Sequence, residues 1–264
     1  MGKSRQKSAR TARDWDCAKL VANVLSSASD SENCVFVVLV LSGALNPIHR
    51  GHTEMLRHSK RLLEAGSSGR EVVVVGFALA PSSEDYVNEK LGDLGMSLRE
   101  RILLCEAAAC SDRETCVVPF GIASGYRTIA EMRPCLEQQL HMAAVQVHLE
   151  ILPVYGSDFL VKRPQNVRQA TLIVCRQDEE DSAQIARQIV AAEPRPHPGF
   201  QLLEVEAGLI PNYSSTGVRK ACDVIRQDAR PEAVLEAWDY LKRSLHPKVL
   251  ELFFPAGKEL PEAS

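Results

Sequence analysis

Short apolar runs alternate along this chain with longer segments in which apolar residues recur at helical spacing. The apolar runs occupy residues 35–41, 71–80, 115–119, 145–154, 170–175 and 200–205. Short apolar runs that alternate with helices indicate a parallel sheet that helices cover on both faces. No internal repeat or low-complexity stretch breaks the pattern, and the linkers are too short to separate two domains. We therefore predict one α/β domain over residues 34–250, built on a doubly wound parallel sheet.

Capping signals mark several helix boundaries. Ser97 and Glu100 have the spacing of a capping box at the start of a helix. Gly66 is placed to end, in a left-handed cap, a helix that begins near Gly51. Pro231 fits the first turn of a helix near the C-terminus.

Charge and hydropathy exclude two classes of partner. The 264 residues include 31 basic and 34 acidic side chains, a balance that predicts no nucleic-acid partner. The longest apolar run, Val35–Leu41, is far shorter than the roughly 20 residues needed to cross a bilayer. No secretory signal follows the first methionine. We expect a soluble intracellular protein without nucleic-acid or membrane partners, in which any anion is held by a local site.

The N-terminal segment differs in charge from the rest of the chain. Five basic residues precede its first acidic residue, namely Lys3, Arg5, Lys7, Arg10 and Arg13. We expect residues 1–33 to form a basic tail with a short amphipathic helix over residues 15–25 that caps the domain, and residues 251–264 to form a C-terminal tail. The expected location is the cytoplasm or nucleus, and the basic tail leaves a mitochondrial address open. The oligomeric state is also left open.

The cysteines show no metal-binding pattern. All eight are scattered without a C-x-x-C pair, and several lie in apolar runs. A reduced cysteine in such a run packs as a small apolar side chain. We expect them to be buried, reduced and not metal ligands.

The loop after the first apolar run carries the first chemical signal. Ligands of open parallel sheets bind beyond the carboxyl ends of the strands. Ser42, Gly43 and Ala44 are small enough to let this backbone approach a ligand. His49 and His52 follow, three residues apart, at the start of a helix, where both imidazoles can face an anion at the helix N-terminus. The pattern predicts a phosphate site.

A second helix start has the same character. Ser214, Ser215 and Thr216 precede apolar residues at helical spacing, so we expect them to cap a helix whose free N–H groups face outward. Arg219 lies one turn further on and can place its guanidinium beside an anion at the helix end. Two such helix starts in one sheet fit the opposite ends of a triphosphate.

Five stretches carry a resemblance to a known family. Gly43–His52 resembles the G-x-F-x-P-x-H-x-G-H signature of the nucleotidyltransferase superfamily, and most closely that of the nicotinamide or nicotinate mononucleotide adenylyltransferases. Tyr155–Leu160 resembles the family's G-[AS]-D-x-L loop, and Leu172–Arg176 the strand ending in arginine. Asn212–Arg219 resembles the I-S-S-T-x-x-R motif, and Pro81–Leu104 is similar to the eukaryotic loop and helix after the second strand.

The resemblance implies a Rossmann-like nucleotidyltransferase domain and a reaction. ATP, accompanied by Mg²⁺, would transfer its adenylyl group to nicotinamide or nicotinate mononucleotide, forming NAD or its deamido form and pyrophosphate. His49, His52 and Arg219 would be catalytic, and Asp158 would contact the nucleotide ribose. The full set of implied ATP contacts is Ser42, Gly43, Ala44, Gly51, Gly156, Asp158, Ser214, Ser215 and Thr216.

The acceptor half of the site departs from the family pattern. Relatives that bind nicotinamide mononucleotide stack its ring between aromatic side chains, usually tryptophans. Here the loop after the third strand offers Phe120 and Tyr126, whereas residues 161–169 contain no aromatic residue. Lys90, after the second strand, can add a positive charge. These three residues are the candidate acceptor contacts.

Two other functions stay open at this point. One is a transferase of the same superfamily with another acceptor, such as phosphopantetheine or a phosphorylated alcohol. The other is a nucleotide-binding protein without synthetic activity, such as a weak ATP hydrolase or a sensor. A choline-phosphate-type cytidylyltransferase is disfavoured, because N-Y-S-S-T-G-V-R replaces the R-T-x-G-[IV]-S-T-T stretch.

Overall fold

The computed structural model describes residues 15–28, 34–66, 71–176, 180–227 and 230–255. The basic segment predicted for residues 1–14, and the end of the predicted C-terminal tail from residue 256, lie outside the described residues. The strands are β1 (Val35–Gly43), β2 (Val72–Pro81), β3 (Thr115–Val117), β4 (His148–Gly156), β5 (Thr171–Arg176) and β6 (Phe200–Val205). The α-helices found in these ranges are α1 (Ala18–Ala28), α2 (Arg50–Ala65), α3 (Glu84–Leu91), α4 (Leu98–Ala109), α5 (Gly125–Met142), α6 (Ser157–Lys162), α7 (Glu180–Ala192), α8 (Ser215–Arg226), α9 (Pro231–Ser244) and α10 (Pro247–Phe253).

The six strands in the described ranges form one parallel sheet in the order β3-β2-β1-β4-β5-β6. The chain starts at the centre, runs outward to β3, and then crosses to β4 on the other side of β1. This reversal opens a crevice beyond the carboxyl ends of β1 and β4, where ligands of doubly wound sheets bind. The predicted fold class is confirmed.

Strand β1 is apolar from Val35 to Leu41 because both of its faces are covered. Val37 and Leu39 belong to an apolar layer that includes side chains of α2, α4, α8, α9 and α10. Phe36 and Val38 belong to the opposite layer, with side chains of α1 and α5. Burial on both faces explains why the run shows no alternation of apolar and polar residues.

The predicted N-terminal helix packs on the domain, and the folded part extends past residue 250 at the other end. Helix α1 lies in the second apolar layer, with Leu20 fully buried. Next to α1, the Trp15 indole N–H donates to the carbonyl oxygen of Val117 in β3 at 2.9 Å. Helix α10 extends to Phe253 and buries Val249 in the first layer. Residues 15–28 and α10 are therefore parts of the domain.

Most capping predictions are confirmed. The hydroxyl and backbone N–H of Ser97 donate to the Glu100 carboxylate at 2.7 and 2.8 Å, and Pro231 lies in the first turn of α9. Gly66 does end α2, but its φ of −95° is not left-handed, because its N–H reaches the carbonyl of Leu62 in an ordinary helical turn. The prediction of a left-handed cap was wrong.

The cysteine prediction is wrong at two positions. Six cysteines are buried, but Cys110 is exposed at the end of α4 and Cys135 is half-buried on α5. Cys110 is the C-cap residue of α4, and Cys135 is only partly covered where it packs against the second apolar layer. Within the described ranges, no helix combines the length and apolar character needed to cross a bilayer.

Candidate nucleotide-binding site

A cleft of about 730 Å³ opens at the carboxyl ends of the central strands. Its walls come from the loops that follow β1, β2, β4 and β6, from the end of β5 and from the starts of α2, α5 and α8. The reversal of strand order between β1 and β4 creates this crevice. The site predicted from the sequence motifs and the crevice of the fold therefore coincide.

The two predicted histidines form a stacked pair at the start of α2. Their ring centroids lie 3.7 Å apart, and the ring planes differ by 26°. The backbone N–H of His49 donates to Nδ1 of His52 at 3.2 Å, while the His49 carbonyl accepts from the backbone N–H of His52 at 3.0 Å. Because His52 Nδ1 is an acceptor, neutral His52 carries its proton on Nε2.

Burial keeps both imidazoles neutral. His49 is 5% exposed, and its Nδ1 has no hydrogen-bond partner among the described residues. Burial, followed by the positive potential of His52 and Arg176, holds the pKa of His49 far below its usual value. Burial and Arg176 lower the pKa of His52 to about 4. At neutral pH the pair therefore offers N–H donors, and an anion placed beside it would favour protonation.

Gly51 allows the His49 ring to pack against α2. A Cβ atom at Gly51 would lie 3.1 Å from Cε1 and Nδ1 of that ring and 3.1 Å from the carbonyl oxygen of Pro211. Such contacts are tighter than ordinary packing, so a larger residue would displace the ring. Gly51 also lines the cleft, as the motif predicts.

The start of α8 differs in one detail from the prediction. Ser214 is the N-cap, and its hydroxyl accepts from the backbone N–H of Gly217 at 3.0 Å. Ser215 and Thr216 lie inside the first turn of the helix rather than before it. Their hydroxyls are therefore free to contact groups other than the helix backbone.

Hydrogen bonds join the start of α8 to the loop after β1. The Ser215 hydroxyl donates to the carbonyl oxygen of Pro47 at 2.8 Å. The guanidinium of Arg219 donates to the carbonyl oxygen of Asn46 and, at 3.0 Å, to the Thr216 hydroxyl. We name the group formed by His49, His52, Ser215, Thr216 and Arg219 the phosphate end. Its two helix starts form one connected surface with a cation at the junction.

Side chains from deeper in the fold hold this loop. The Asn46 side chain accepts from the backbone N–H of Met96 at 2.8 Å. Arg101 is fully buried, and its guanidinium donates to the carbonyl oxygens of Ala44, Ser82 and Met96 at 2.8 to 3.1 Å. The loops after β1 and β2 are therefore fastened to each other from below.

The other predicted ATP contacts also line the cleft. They are Ser42, Gly43, Ala44, Gly156, Asp158 and Ser214, together with Lys90 from the candidate acceptor contacts. Asp158 lies in the first turn of α6, and its exposed carboxylate accepts from Lys162 at 2.8 Å.

Phe120 and Tyr126 do not line the cleft, so the structure does not support their assignment as acceptor contacts. Phe120 packs edge to face against Trp15, with centroids 5.8 Å apart, because α1 covers this part of the sheet. The Tyr126 hydroxyl is within hydrogen-bond distance of the Thr171 hydroxyl, at 2.6 Å, and this contact turns the ring toward β5.

Other aromatic residues take the place that those two were expected to fill. Phe159 stacks on Tyr155 with centroids 3.7 Å apart and planes 15° apart, and the Arg163 guanidinium lies 5.7 Å from the Phe159 centroid. Tyr86 also lines the cleft. We name Tyr86, Tyr155, Phe159 and Arg163 the aromatic wall. Both stacked rings belong to the Tyr155–Leu160 motif, so the signal for the pair was present in the sequence.

The charge of the cleft is strongly positive, although the chain is slightly acidic overall. Among the described lining residues, five are basic and one, Asp158, is acidic. The five are Lys90, Lys162, Arg163, Arg176 and Arg219. Arg176, missed as a candidate site residue although its strand was matched, ends β5 and donates to the carbonyl oxygen of Pro211 at 3.4 Å. Such a cleft suits ligands with several negative charges.

Metal-binding side chains are not clustered in the part of the chain that the structure describes. No group of three or more His, Cys, Asp or Glu side chains there is arranged to hold a metal ion. The cleft itself supplies mainly hydrogen-bond donors and cations, which are ligands for phosphate and carboxylate groups rather than for metals.

Several solved structures resemble this chain at low sequence identity. Similar solved structures include the Plasmodium falciparum nicotinic acid mononucleotide adenylyltransferase complexed with APC (TM-score 0.45, 12% identity, 81% of this chain and 92% of that chain). Another is a putative nicotinate-nucleotide adenylyltransferase from Vibrio parahaemolyticus (TM-score 0.41, 12% identity, 83% and 98% of the two chains). A search of curated proteins gives no significant match.

The family assignment comes from a protein-family model. The cytidylyltransferase-like model matches residues 40–221, more than half of the chain. The matched region runs from β1 into α8 and includes both helix starts of the phosphate end. This protein belongs to the cytidylyltransferase-like family.

Proposed function

We propose that this protein transfers the adenylyl group of ATP to nicotinate or nicotinamide mononucleotide and releases pyrophosphate. The observation that carries the proposal is the phosphate end, where stacked neutral imidazoles meet the N-terminus of α8 and Arg219. The motifs that resemble those of mononucleotide adenylyltransferases support adenylyl rather than cytidylyl transfer.

The two helix starts of the phosphate end would bind different phosphates of ATP. The first turn of α8, with Ser215, Thr216 and Arg219, suits the β- and γ-phosphates, because free N–H groups and a guanidinium both bind anions. His49 and His52 would donate hydrogen bonds to the α-phosphate oxygens. Negative charge that develops there in the transition state strengthens those bonds, and this difference is what accelerates the reaction.

The chemical step needs no protein nucleophile. An oxygen of the acceptor phosphate forms a bond to the α-phosphorus in line, and the bond from that phosphorus to the bridging oxygen breaks. The second pKa of a phosphate monoester is about 6, so the attacking oxygen is already deprotonated at neutral pH. The protein therefore acts by positioning both phosphates and by neutralising charge.

Mg²⁺ would arrive as part of the Mg·ATP substrate. Asp158 is the one carboxylate among the described lining residues, and Lys162 is paired with it. This donor set suits an ion held by phosphate oxygens and water, which is how Mg²⁺ commonly binds at nucleotide sites. When bound, Mg²⁺ would offset charge on the departing pyrophosphate.

The test is product formation from ATP and Mg²⁺ with each mononucleotide offered separately. We expect dinucleotide and pyrophosphate in equal amounts. His52→Ala should lower turnover by about 100-fold or more with the fold intact, since loss of one such donor typically costs 100- to 1,000-fold. The matched control is His148→Gln, because His148 is exposed at the opposite end of β4 and should be dispensable.

Two results would contradict the proposal. Consumption of ATP that is independent of either mononucleotide would indicate a hydrolase. Unchanged turnover in the His52 variant would remove the phosphate end as the site of reaction.

A further inference from the structure

We propose that Arg163 determines the acceptor by pairing with its carboxylate group, so that nicotinate mononucleotide is preferred to the amide. The inference rests on the proposed function and adds the specificity that the family assignment leaves open. The guanidinium of Arg163 is positioned by an aromatic ring rather than by an acidic side chain.

The stack under Arg163 is anchored in the sheet. Tyr155 is the penultimate residue of β4 and is buried, and a Cβ atom at Gly125 would collide with its hydroxyl. Phe159 lies face to face on Tyr155 from the first turns of α6. The position of the outer ring is therefore fixed by a strand, a helix and the close approach of α5.

Arg163 itself is held at the end of α6. It is the C-cap residue, and its backbone N–H donates to the carbonyl oxygens of Phe159 and Leu160 at 3.0 and 3.1 Å. Its guanidinium lies 5.7 Å from the Phe159 centroid, in the range of a cation–π contact. The side chain is thus positioned without using its planar edge of N–H donors.

That donor edge has no acidic partner among the described residues. Neighbouring cations differ in this respect, since Lys162 is paired with Asp158 and Arg168 with Glu193. A guanidinium is well matched to a carboxylate, with which it forms two parallel hydrogen bonds. Arg163 is therefore the cation of this wall that is available to a ligand.

The location indicates which group of the acceptor reaches it. The acceptor phosphate must lie near His49 and His52, where the α-phosphate of ATP reacts. Arg163 lies at the C-terminal end of α6 beside Phe159, whereas both imidazoles lie at the start of α2. Arg163 is thus placed to meet the base of the acceptor, and the base bears the carboxylate or amide.

The size of the effect follows from charge. A carboxylate accepts two parallel hydrogen bonds from a guanidinium, whereas an amide offers one acceptor oxygen and turns an NH₂ donor toward the second N–H. Each 1.4 kcal/mol of this difference changes affinity about tenfold. An acid is matched to Arg163 in this way, and an amide is not. We expect the wild-type protein to favour the acid by about tenfold in kcat/KM.

The test compares kcat/KM for the two mononucleotides in wild type, Arg163→Gln and Arg163→Lys. Arg163→Gln should lower the value for the acid about tenfold and change that for the amide by less than about twofold. Arg163→Lys should retain part of the preference. The matched control, Arg168→Gln, lies in the following turn, is paired with Glu193 and should keep the wild-type ratio. Thermal unfolding of each variant checks that the fold is unchanged.

The outcomes separate this inference from the function on which it rests. Equal losses for both acceptors in Arg163→Gln would assign Arg163 to the phosphate and overturn the inference. Wild-type protein that uses both acceptors equally would also overturn it, while leaving the adenylyltransferase proposal in place. No dinucleotide from either acceptor would overturn both.

Discussion

The phosphate end and the aromatic wall of the same cleft are held in place by different means. In the phosphate end, Ser215 and Arg219 donate to backbone carbonyls of a neighbouring loop, and His52 accepts from the backbone of His49. In the aromatic wall, Phe159 and Arg163 are held by ring stacking and a cation–π contact. The functional side chains of one region are bonded to backbone groups, and those of the other rest on aromatic rings.

The difference suits the two tasks that we propose. Charge stabilisation at a reacting phosphate requires donors that do not move during the reaction, and backbone hydrogen bonds between loops supply that rigidity. Recognition of an acceptor depends on the chemistry of a few side chains, which can be replaced without disturbing the loops. Substitutions should therefore affect turnover at the phosphate end and selectivity at the aromatic wall.

The largest expected effect comes from breaking the phosphate end at Arg219. Arg219→Met removes both the cation and the bond to the Asn46 carbonyl, and we expect kcat/KM to fall by about 100- to 1,000-fold. The loss should be similar for both acceptors. Steady-state kinetics checks this, with Arg226→Gln as control, because Arg226 is exposed at the far end of the same helix. A loss below about fivefold would refute the proposed role of Arg219.

A smaller effect is expected from breaking the aromatic wall at Phe159. Phe159→Leu removes a stack worth about 0.5–1.5 kcal/mol and releases the Arg163 guanidinium. We expect the ratio of kcat/KM for acid and amide to fall severalfold while turnover with saturating substrates changes little. If turnover fell as strongly as in Arg219→Met, the functional division between the two regions would be wrong.

The smallest effect concerns stability and pH. The pKa of His52 and that of His246, which lies behind α2, are both lowered to about 4 by burial. Histidine in an unfolded chain titrates near 6.5, so the unfolded state binds protons first as pH falls. The free energy of unfolding should therefore decrease between about pH 6.5 and pH 4.

Saturating ATP separates the contribution of the phosphate-end histidines from that of His246. A bound anion raises the pKa of His49 and His52, so ATP should reduce the pH dependence that comes from them. The part due to His246, whose Nε2 lies 3.1 Å from the Thr53 hydroxyl, should persist with ATP and disappear in His246→Gln. Chemical denaturation at pH 7 and pH 5 provides the values. Equal stability at both pH values would contradict the prediction.

Sequence patterns were informative where the backbone decides the structure. The fully apolar run 35–41 predicted a strand buried on both faces, and the spacing of His49 and His52 predicted a pair at a helix start. Ser214 and Arg219 were placed correctly at the start of α8 and one turn into it. In each case, strand or helix geometry alone brings the residues together.

The aromatic wall was not predicted because it depends on packing between distant segments. Phe120 was assigned to the cleft, but α1 brings Trp15 against it. Tyr155 was interpreted only as part of a strand and motif, although its position near the end of β4 makes it the base of the stack. Arg219 donates to the backbone carbonyl of Asn46, a group that every residue has. The sequence therefore predicted the cation at the start of α8 but could not predict its hydrogen-bond partner.

The fastening of the loops beneath the cleft has a consequence for how this protein can change. Asn46 and Arg101 reach the neighbouring loops through main-chain atoms, namely the Met96 N–H and the carbonyls of Ala44, Ser82 and Met96. Every residue type except proline has both groups, so the side chains of those three residues are not part of the connection. The side chains of Asn46 and Arg101 make these connections. The other side chains of the loops can therefore be substituted, in evolution or by design for new substrates, without loss of these hydrogen bonds.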